Sequence, residues 1–196
     1  MTTPTGFDQW IGYILEDEGP EVNISPDEPG GISCYGVSLL ALADYNRAMS
    51  LPKPVAADVS SMTVNRAETF YAWFLSDLML DQQTAAVAYR LADITVNIGQ
   101  VGAAHALCLA TGIWPLSDQV TPALCTAAKA LDQKQLICAL SAVWIGLKYG
   151  SGTPVGAGWT HYGHGWTNRR NAAHSRALGL ISVPLAANHI SLGRAS

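Results

Sequence analysis

The chain has 196 residues, a formal net charge of −4, 49% hydrophobic residues and only 13% charged ones. That hydrophobic content excludes an intrinsically disordered chain, and the length suits one domain of about 100–200 residues with a lobe or tail. An acidic balance, with a pI near 5.6, speaks against a dedicated nucleic-acid binder, which needs a basic face.

In chain order, the first element is a short helix. Phe7, Trp10, Ile11 and Ile14 recur at three- and four-residue spacing, and Gly19-Pro20 stops the run. Residues 19–37 are rich in Pro, Gly and Asp and predict a compact turn region with a small irregular or β element. A helix is expected over 38–50, then a surface loop over 51–61 carrying Pro52 and Pro54. Thr63 or Asn65 can cap a helix reaching about Leu80, and Asn65-Arg-Ala-Glu68 has capping-box spacing. Val87, Leu91, Ile94 and Ile98 share one face of a helix over 84–97, which Gly99 breaks before helix resumes over 101–111. Thr121-Pro122 is a cap and first-turn proline opening a helix to about Leu131. Residues 133–148 predict an apolar helix buried on most sides. A Gly-rich aromatic stretch, Gly150–Gly165, precedes a last helix over 166–179 and a tail. The fold class is therefore mainly α.

No apolar stretch approaches the ~18–20 residues of a spanning helix, so stable membrane insertion is not expected. Residues Met1 to Asp8 show no basic start followed by an apolar run, so synthesis in a cytosol is expected. Cys34, Cys108, Cys125 and Cys138 form no C-x-x-C pair and are expected to be buried free thiols. Charge is unevenly spread. Residues 1–30 hold seven acids and no base, whereas no acid follows Asp132. Either the two ends neutralise each other in the fold, or an acidic catalytic wall faces a basic tail that touches an anionic surface.

The loop after the first helix carries the chemistry. Glu16, Asp17 and Glu18 crowd the negative end of a helix dipole, where a sequence built only for stability would place Lys or Arg. Such a setting favours a protonated carboxyl, as general acid catalysis requires. The alternative is that all three acids simply face water. Glu18 is followed after eight residues by Asp27, and Asp27 after five by Ser33. Cleaving a glycosidic bond with inversion needs one carboxyl to protonate the leaving oxygen and a second, roughly 6.5–9.5 Å away, to activate water. A helix-end Glu and an Asp across a Gly/Pro-rich turn can span that distance, and a hydroxyl can help hold the water.

Glu, eight residues, Asp, five residues, Thr is the catalytic pattern of T4-type phage lysozymes, which this chain resembles with Ser33 in place of Thr. The fuller loop is similar to that of the glycoside hydrolase 108 family of phage and bacterial N-acetylmuramidases, E-G-G-Y-V-N-D-P-x-D-P-G-G-x-T-x-Y-G-I-S. The matching residues are Glu18, Gly19, Val22, Asn23, Pro26, Pro29, Gly30, Gly31, Tyr35, Gly36 and Ser38. Downstream, Ala67-Glu-Thr-Phe-Tyr71, Leu91-Ala-Asp93-Ile-Thr-Val-Asn97-Ile-Gly99 and Gly165-Trp166-Thr-Asn-Arg169 resemble the family's later motifs in order. This sequence departs from the family at Pro20, Glu21, Ser33 and Cys34, and its loop is one residue longer. Counting from Glu18 therefore selects Asp27 as the second acid, whereas anchoring on Pro29-Gly30-Gly31 selects Glu28.

The resemblance implies a lysozyme-like fold with an N-terminal hydrolase lobe over 1–95, a helical lobe over 96–180 resembling a predicted peptidoglycan-binding region, and a tail over 181–196. It implies a peptidoglycan muramidase of endolysin type that needs no cofactor and acts, as a monomer, on the wall in the periplasm after synthesis in a host cytoplasm. Glu18 would be the general acid, Asp27 or Glu28 the group that activates water, and Ser33 a hydroxyl that holds it. Tyr35, Asp93, Asn97 and Trp166 are candidate saccharide-binding residues. Asp93 and Asn97, four apart on one helix face, could instead tie the loop to the helical core. His161, His164 and His174 have no carboxylate nearby in sequence, so no metal is expected. A lytic transglycosylase, a non-catalytic wall-binding or virion protein, and an exported antibacterial effector are the rival readings.

Overall fold

A computed structural model of the chain describes residues 6–24, 31–150 and 168–181. It divides into two compact units, one within Asp8–Ser76 and one built from Asp77 onward. The lobe boundary expected at 95/96 falls inside a long helix that belongs to the second of them.

The first unit begins with α1, Gly6–Glu18. Trp10, Ile11, Ile14 and Leu15 form its buried stripe, while Glu16 is exposed and Glu18 half-buried. The helix stops where the sequence predicts, because Gly19 takes a left-handed φ of 69° and its N–H closes on the Leu15 carbonyl at 2.9 Å. The irregular element resolves into three short antiparallel strands, β1 (Asn23–Ile24), β2 (Ile32–Cys34) and β3 (Val37–Ser38), in sequential order. Ser33 lies opposite Asn23 on one side and Ser38 on the other. Ser38 then caps α2, Leu39–Ala48, its Oγ accepting from the Ala41 N–H at 3.2 Å.

The expected surface loop over 51–61 is corrected. It contains a short helix, α3 (Ala56–Ser60), which packs on β2 through a fully buried Val59. Asp58 starts it by accepting from the Val55 N–H at 2.8 Å. Thr63, not Asn65, caps α4, Val64–Phe74, with its Oγ accepting from Arg66 N–H. That helix ends at Phe74, short of the predicted Leu80, and gives way to two 3₁₀ turns separated by Met79 at a φ of 49°. Tyr45 of α2 meets Phe70 and Trp73 of α4 edge-on, at centroid separations of 6.0 and 5.3 Å, the favoured geometry for aromatic pairs.

The second unit is built on α5, Ala85–Thr111, capped by Thr84 and closed by a left-handed Gly112. Gly99 is non-helical at φ 78°, ψ 170°, so the predicted break is present. Every residue from Ala85 to Thr95 is buried, because alanines at 85, 86, 88 and 92 let neighbouring helices approach closely. Those neighbours are α6 (Pro122–Ala130), opened by the Thr121-Pro122 pair, and α7 (Gln133–Gly150). Contrary to the sequence expectation, α5 does reach the length and hydropathy of a spanning helix, although Gly99 interrupts it and its first half carries a buried arginine and a buried aspartate. A last helix, α8, occupies 168–179. Cys34, Cys108 and Cys125 are buried free thiols, but Cys138 is free and exposed, because it lies on the face of α7 opposite Leu136 and Leu140.

Candidate active site

In the first unit, the end of α1 is tied to the β2–β3 hairpin at several points. The hairpin turn is two residues long, Tyr35 and Gly36, at φ values of 50° and 71°. Two consecutive positive φ angles are what a type I′ turn requires, which matches the right-handed twist of the strands. The Tyr35 N–H donates to the Gly19 carbonyl at 3.1 Å, and the Cys34 thiol donates to the Pro20 carbonyl at 3.4 Å. From α4, the buried Tyr71 hydroxyl donates to the Tyr35 carbonyl at 2.8 Å. The residues immediately following Glu18 are therefore held to the hairpin, and the hairpin is held to α4.

Glu18 itself lies against Gly36. A Cβ at Gly36 would stand 2.6 Å from the Glu18 Cδ and 2.6 Å from its Oε2. Only glycine leaves that space and accepts that φ without strain. The Glu21 side chain folds back in the same way over Gly19, where a Cβ would meet its Oε2 at 2.1 Å. Ser33, on the central strand, is 8% exposed. Burial pushes the Cys34 thiol above its ordinary value, with a smaller push from the Glu21 charge, against the Tyr35 backbone hydrogen bond. A thiol so held is a poor nucleophile.

Of the residues singled out from the sequence, Glu18, Ser33 and Tyr35 fall together in this unit. Asp27 and Glu28 lie outside the described residues, as do Trp166, His161 and His164. Asp93 and Asn97 belong to the second unit, where the Asn97 amide donates to the Asp93 carbonyl at 2.8 Å. Asp93 is 3% exposed and its carboxylate pairs with Arg90, with Arg169 at 3.8 Å from its other oxygen. Asp93 is thus buried in an ion-pair cluster of the second unit. His174 accompanies Ser141, Nδ1 to Oγ, at 3.0 Å. Among the described residues no group of three His, Cys, Asp or Glu side chains is placed to hold a metal ion. Sequence reasoning assigned no role to Gly36 or Tyr71 beyond their place in motifs, and it missed Arg90, whose only signal is a lone cation in the apolar run from Ala85 to Leu91.

The sequence profile of glycosyl hydrolase 108 matches residues 11–99, a stretch that runs from α1 to the break at Gly99. The fold is also that of a solved structure, Brucella abortus SagA, with a TM-score of 0.75, 22% identity, and coverage of 89% of this chain and 94% of that one. No curated protein sequence matches the chain. Residues 11–99 are thus similar to the glycosyl hydrolase 108 family, and the chain has the mainly α fold of that solved structure.

Proposed function

We propose that this enzyme is a muramidase that hydrolyses the β-1,4 bond between N-acetylmuramic acid and N-acetylglucosamine in bacterial peptidoglycan, with Glu18 as its general acid. The observation that carries the reading is the approach of the Glu18 carboxyl to Gly36, a position where the backbone gives up its Cβ and takes a left-handed φ. A carboxyl whose surroundings are shaped around it, at a helix end tied to the hairpin by hydrogen bonds from Tyr35 and Cys34, with Tyr71 holding the hairpin in turn, is pre-organised in the way acid catalysis demands.

In this mechanism Glu18 gives its proton to the glycosidic oxygen as the bond to the muramic acid anomeric carbon breaks, so that N-acetylglucosamine leaves with a free 4-hydroxyl. Water adds to the anomeric carbon and gives its proton to a second carboxylate, Asp27 or Glu28. Ser33, opposite Asn23 and Ser38 in the sheet, helps to position that water. The enzyme acts on the wall after synthesis in the cytoplasm of a host cell.

The test is Glu18→Gln. The variant should keep its circular dichroism spectrum and thermal transition and lose about 10³-fold or more of its rate on purified sacculi, within the range of a general acid's contribution. Mass spectrometry of wild-type products should show reducing-end muramic acid. Products ending in a 1,6-anhydro ring would replace hydrolysis with transglycosylation, and full activity in a folded Glu18→Gln protein would remove Glu18 from the reaction.

A further inference from the structure

Within the first unit, the C-terminal end of α2 and the loop that follows it form a groove of about 500 Å³, lined by Ala43, Arg47, Ser50, Leu51 and Lys53. That volume lies in the range of small-ligand sites, about 300–1,000 Å³. Its walls are fixed by the chain around it. The Met49, Ser50 and Leu51 N–H groups donate to the carbonyls of Tyr45, Arg47 and Asn46 at 2.9, 3.2 and 2.7 Å, and the Nδ2 of the buried Asn46 donates to the Pro52 carbonyl at 2.6 Å. Ser50 takes a left-handed φ of 56°, a conformation that a residue other than glycine keeps only where its surroundings impose it. The groove is preformed.

The lining combines two cations, a hydroxyl and two aliphatic side chains, with no acid and no aromatic ring. Arg47 pairs with Asp44 at 2.8 Å, but the two side chains are 81% and 48% exposed, and such a surface pair holds a guanidinium only weakly. Lys53 takes part in none of the ion pairs among the described residues. With Asp44 counted against Arg47, Lys53 leaves the groove one net positive charge, which matches a monoanion and falls short of a dianion. The negative end of α2 does not oppose an anion there, because three of its last four carbonyls, those of Tyr45, Asn46 and Arg47, already accept an N–H. A lining without acids offers nothing to a hard metal cation, and one without rings offers no stacking face to a sugar. Ala43 and Leu51 suit methyl-sized groups.

We propose that this groove binds the free carboxylate end of a short peptide with small apolar side chains, the carboxylate between Arg47 and Lys53 and the methyl groups against Ala43 and Leu51. On the muramidase reading, on which this identification rests, the ligand is the stem peptide that peptidoglycan carries on its muramic acid. Reach is sufficient. The ten residues of α2 run about 15 Å from Ser38, two residues past Gly36, to the groove. A stem of about four or five extended residues spans roughly 13–18 Å. A peptide hanging from a sugar held at Glu18 therefore has the length to enter the groove, and glycan strands that keep their stems are favoured.

The experiment uses the full chain, isotope-labelled for NMR, and reads backbone amide shifts without turnover. The probes are N-acetyl-D-alanyl-D-alanine, the same dipeptide with its carboxylate amidated, and inorganic phosphate. The free dipeptide should give saturable shifts at Ser50, Leu51 and Lys53, with a dissociation constant on the order of millimolar. Its amide should bind at least about threefold more weakly, since it loses the charge contact. Lys53→Gln, on an exposed loop, should weaken the free dipeptide by about three- to fivefold, and Lys53→Arg should restore it. Equal binding of acid and amide, phosphate bound as tightly as the dipeptide, shifts confined to other residues, or no saturation would each overturn the proposal. Glu18→Gln should bind the dipeptide as the wild type does, so the two readings fail separately. A failed titration removes the groove and leaves Glu18 in place, whereas full activity in Glu18→Gln removes the muramidase assignment without altering the titration.

Discussion

The Glu18 carboxyl occupies the space that a side chain at Gly36 would fill, 2.6 Å from the position of the missing Cβ. Gly36→Ala therefore has two costs. The left-handed φ of 71° disfavours any L side chain by about 1–2 kcal/mol, and the methyl group forces the Glu18 carboxyl to move. Displacement of a reacting group by about 1 Å can cost about 10²-fold in rate. The expected outcome is a folded protein with a transition a few degrees lower and kcat/KM on sacculi reduced by about 10²-fold. Activity within twofold of wild type would detach Gly36 from the placement of Glu18.

Tyr71 holds the same turn from behind, through its hydroxyl on the Tyr35 carbonyl at 2.8 Å. Tyr71→Phe preserves the buried ring and removes the hydrogen bond to the Tyr35 carbonyl. The stability loss should be about 0.5–1.5 kcal/mol, the net worth of such a bond, with the higher end favoured if the Tyr35 carbonyl is left unsatisfied. If Tyr71 acts by positioning the hairpin against Glu18, kcat should fall while KM stays near its wild-type value. A stability loss with unchanged kcat would make its role purely structural.

The second acid is separable by paired variants. Asp27→Asn and Glu28→Gln change charge with little change in volume. Under the proposed mechanism, one should lose activity to nearly the extent of Glu18→Gln while the other keeps most of it. Muropeptide release from sacculi, measured on both proteins after matching their thermal transitions, identifies the partner. Retention of activity in both single variants and in the double variant would remove the requirement for a second carboxylate.

Much of this architecture is legible locally. The stripe of Trp10, Ile11 and Ile14, the Gly19-Pro20 stop, the Thr121-Pro122 cap and the break at Gly99 each act through neighbouring residues, so the sequence carries them directly. Other features are set by tertiary contacts. Five residues of α3 are too few for a periodic signal, and that helix is held by the burial of Val59. Beyond Phe74 the apolar residues Leu75, Leu78 and Leu80 continue to be buried, but Leu78 and Leu80 lie in 3₁₀ turns on either side of a left-handed Met79. No local residue announces that change. At the candidate site, the position of Glu18 at a helix end was readable, whereas its approach to Gly36 depends on a hairpin folding back on α1. Burial of Arg90 was unreadable for a similar reason, since an isolated cation in an apolar helix reads equally well as a residue reaching solvent.

The Arg90–Asp93 pair should be far more sensitive than a surface pair. Both side chains are almost wholly removed from solvent, at 0% and 4% exposure. Breaking such a pair by deleting one partner typically costs about 3–5 kcal/mol, because the remaining charge is buried alone. Asp93→Ala should therefore lower the urea midpoint sharply. Asp44→Ala, which removes the exposed partner of Arg47, should cost no more than about 0.5 kcal/mol. Equal losses from the two variants would show that the buried pair relaxes or hydrates when broken.

His174 gives the second unit a pH dependence of defined sign. Burial, and then the charges of Arg90 and Arg170, lower its pKa from the ordinary value of 6.5. The Ser141 hydroxyl donates its one proton to the Ile137 carbonyl at 2.9 Å, so the contact with His174 is made by Nδ1–H donating to Oγ. That is compatible with a neutral ring. At pH values above 6.5 the imidazole is neutral in both folded and unfolded chains, and its contribution to stability is fully present. As pH falls through 6.5 the unfolded chain takes up the proton first, and stability declines until the lower pKa of the folded state is passed. Unfolding free energies measured by urea from pH 7.5 to about 5 should therefore fall more steeply for the wild type than for His174→Gln, which cannot titrate. Parallel curves for the two proteins would mean that His174 protonates in the folded state as readily as in water, and that Arg90 and Arg170 are screened from it.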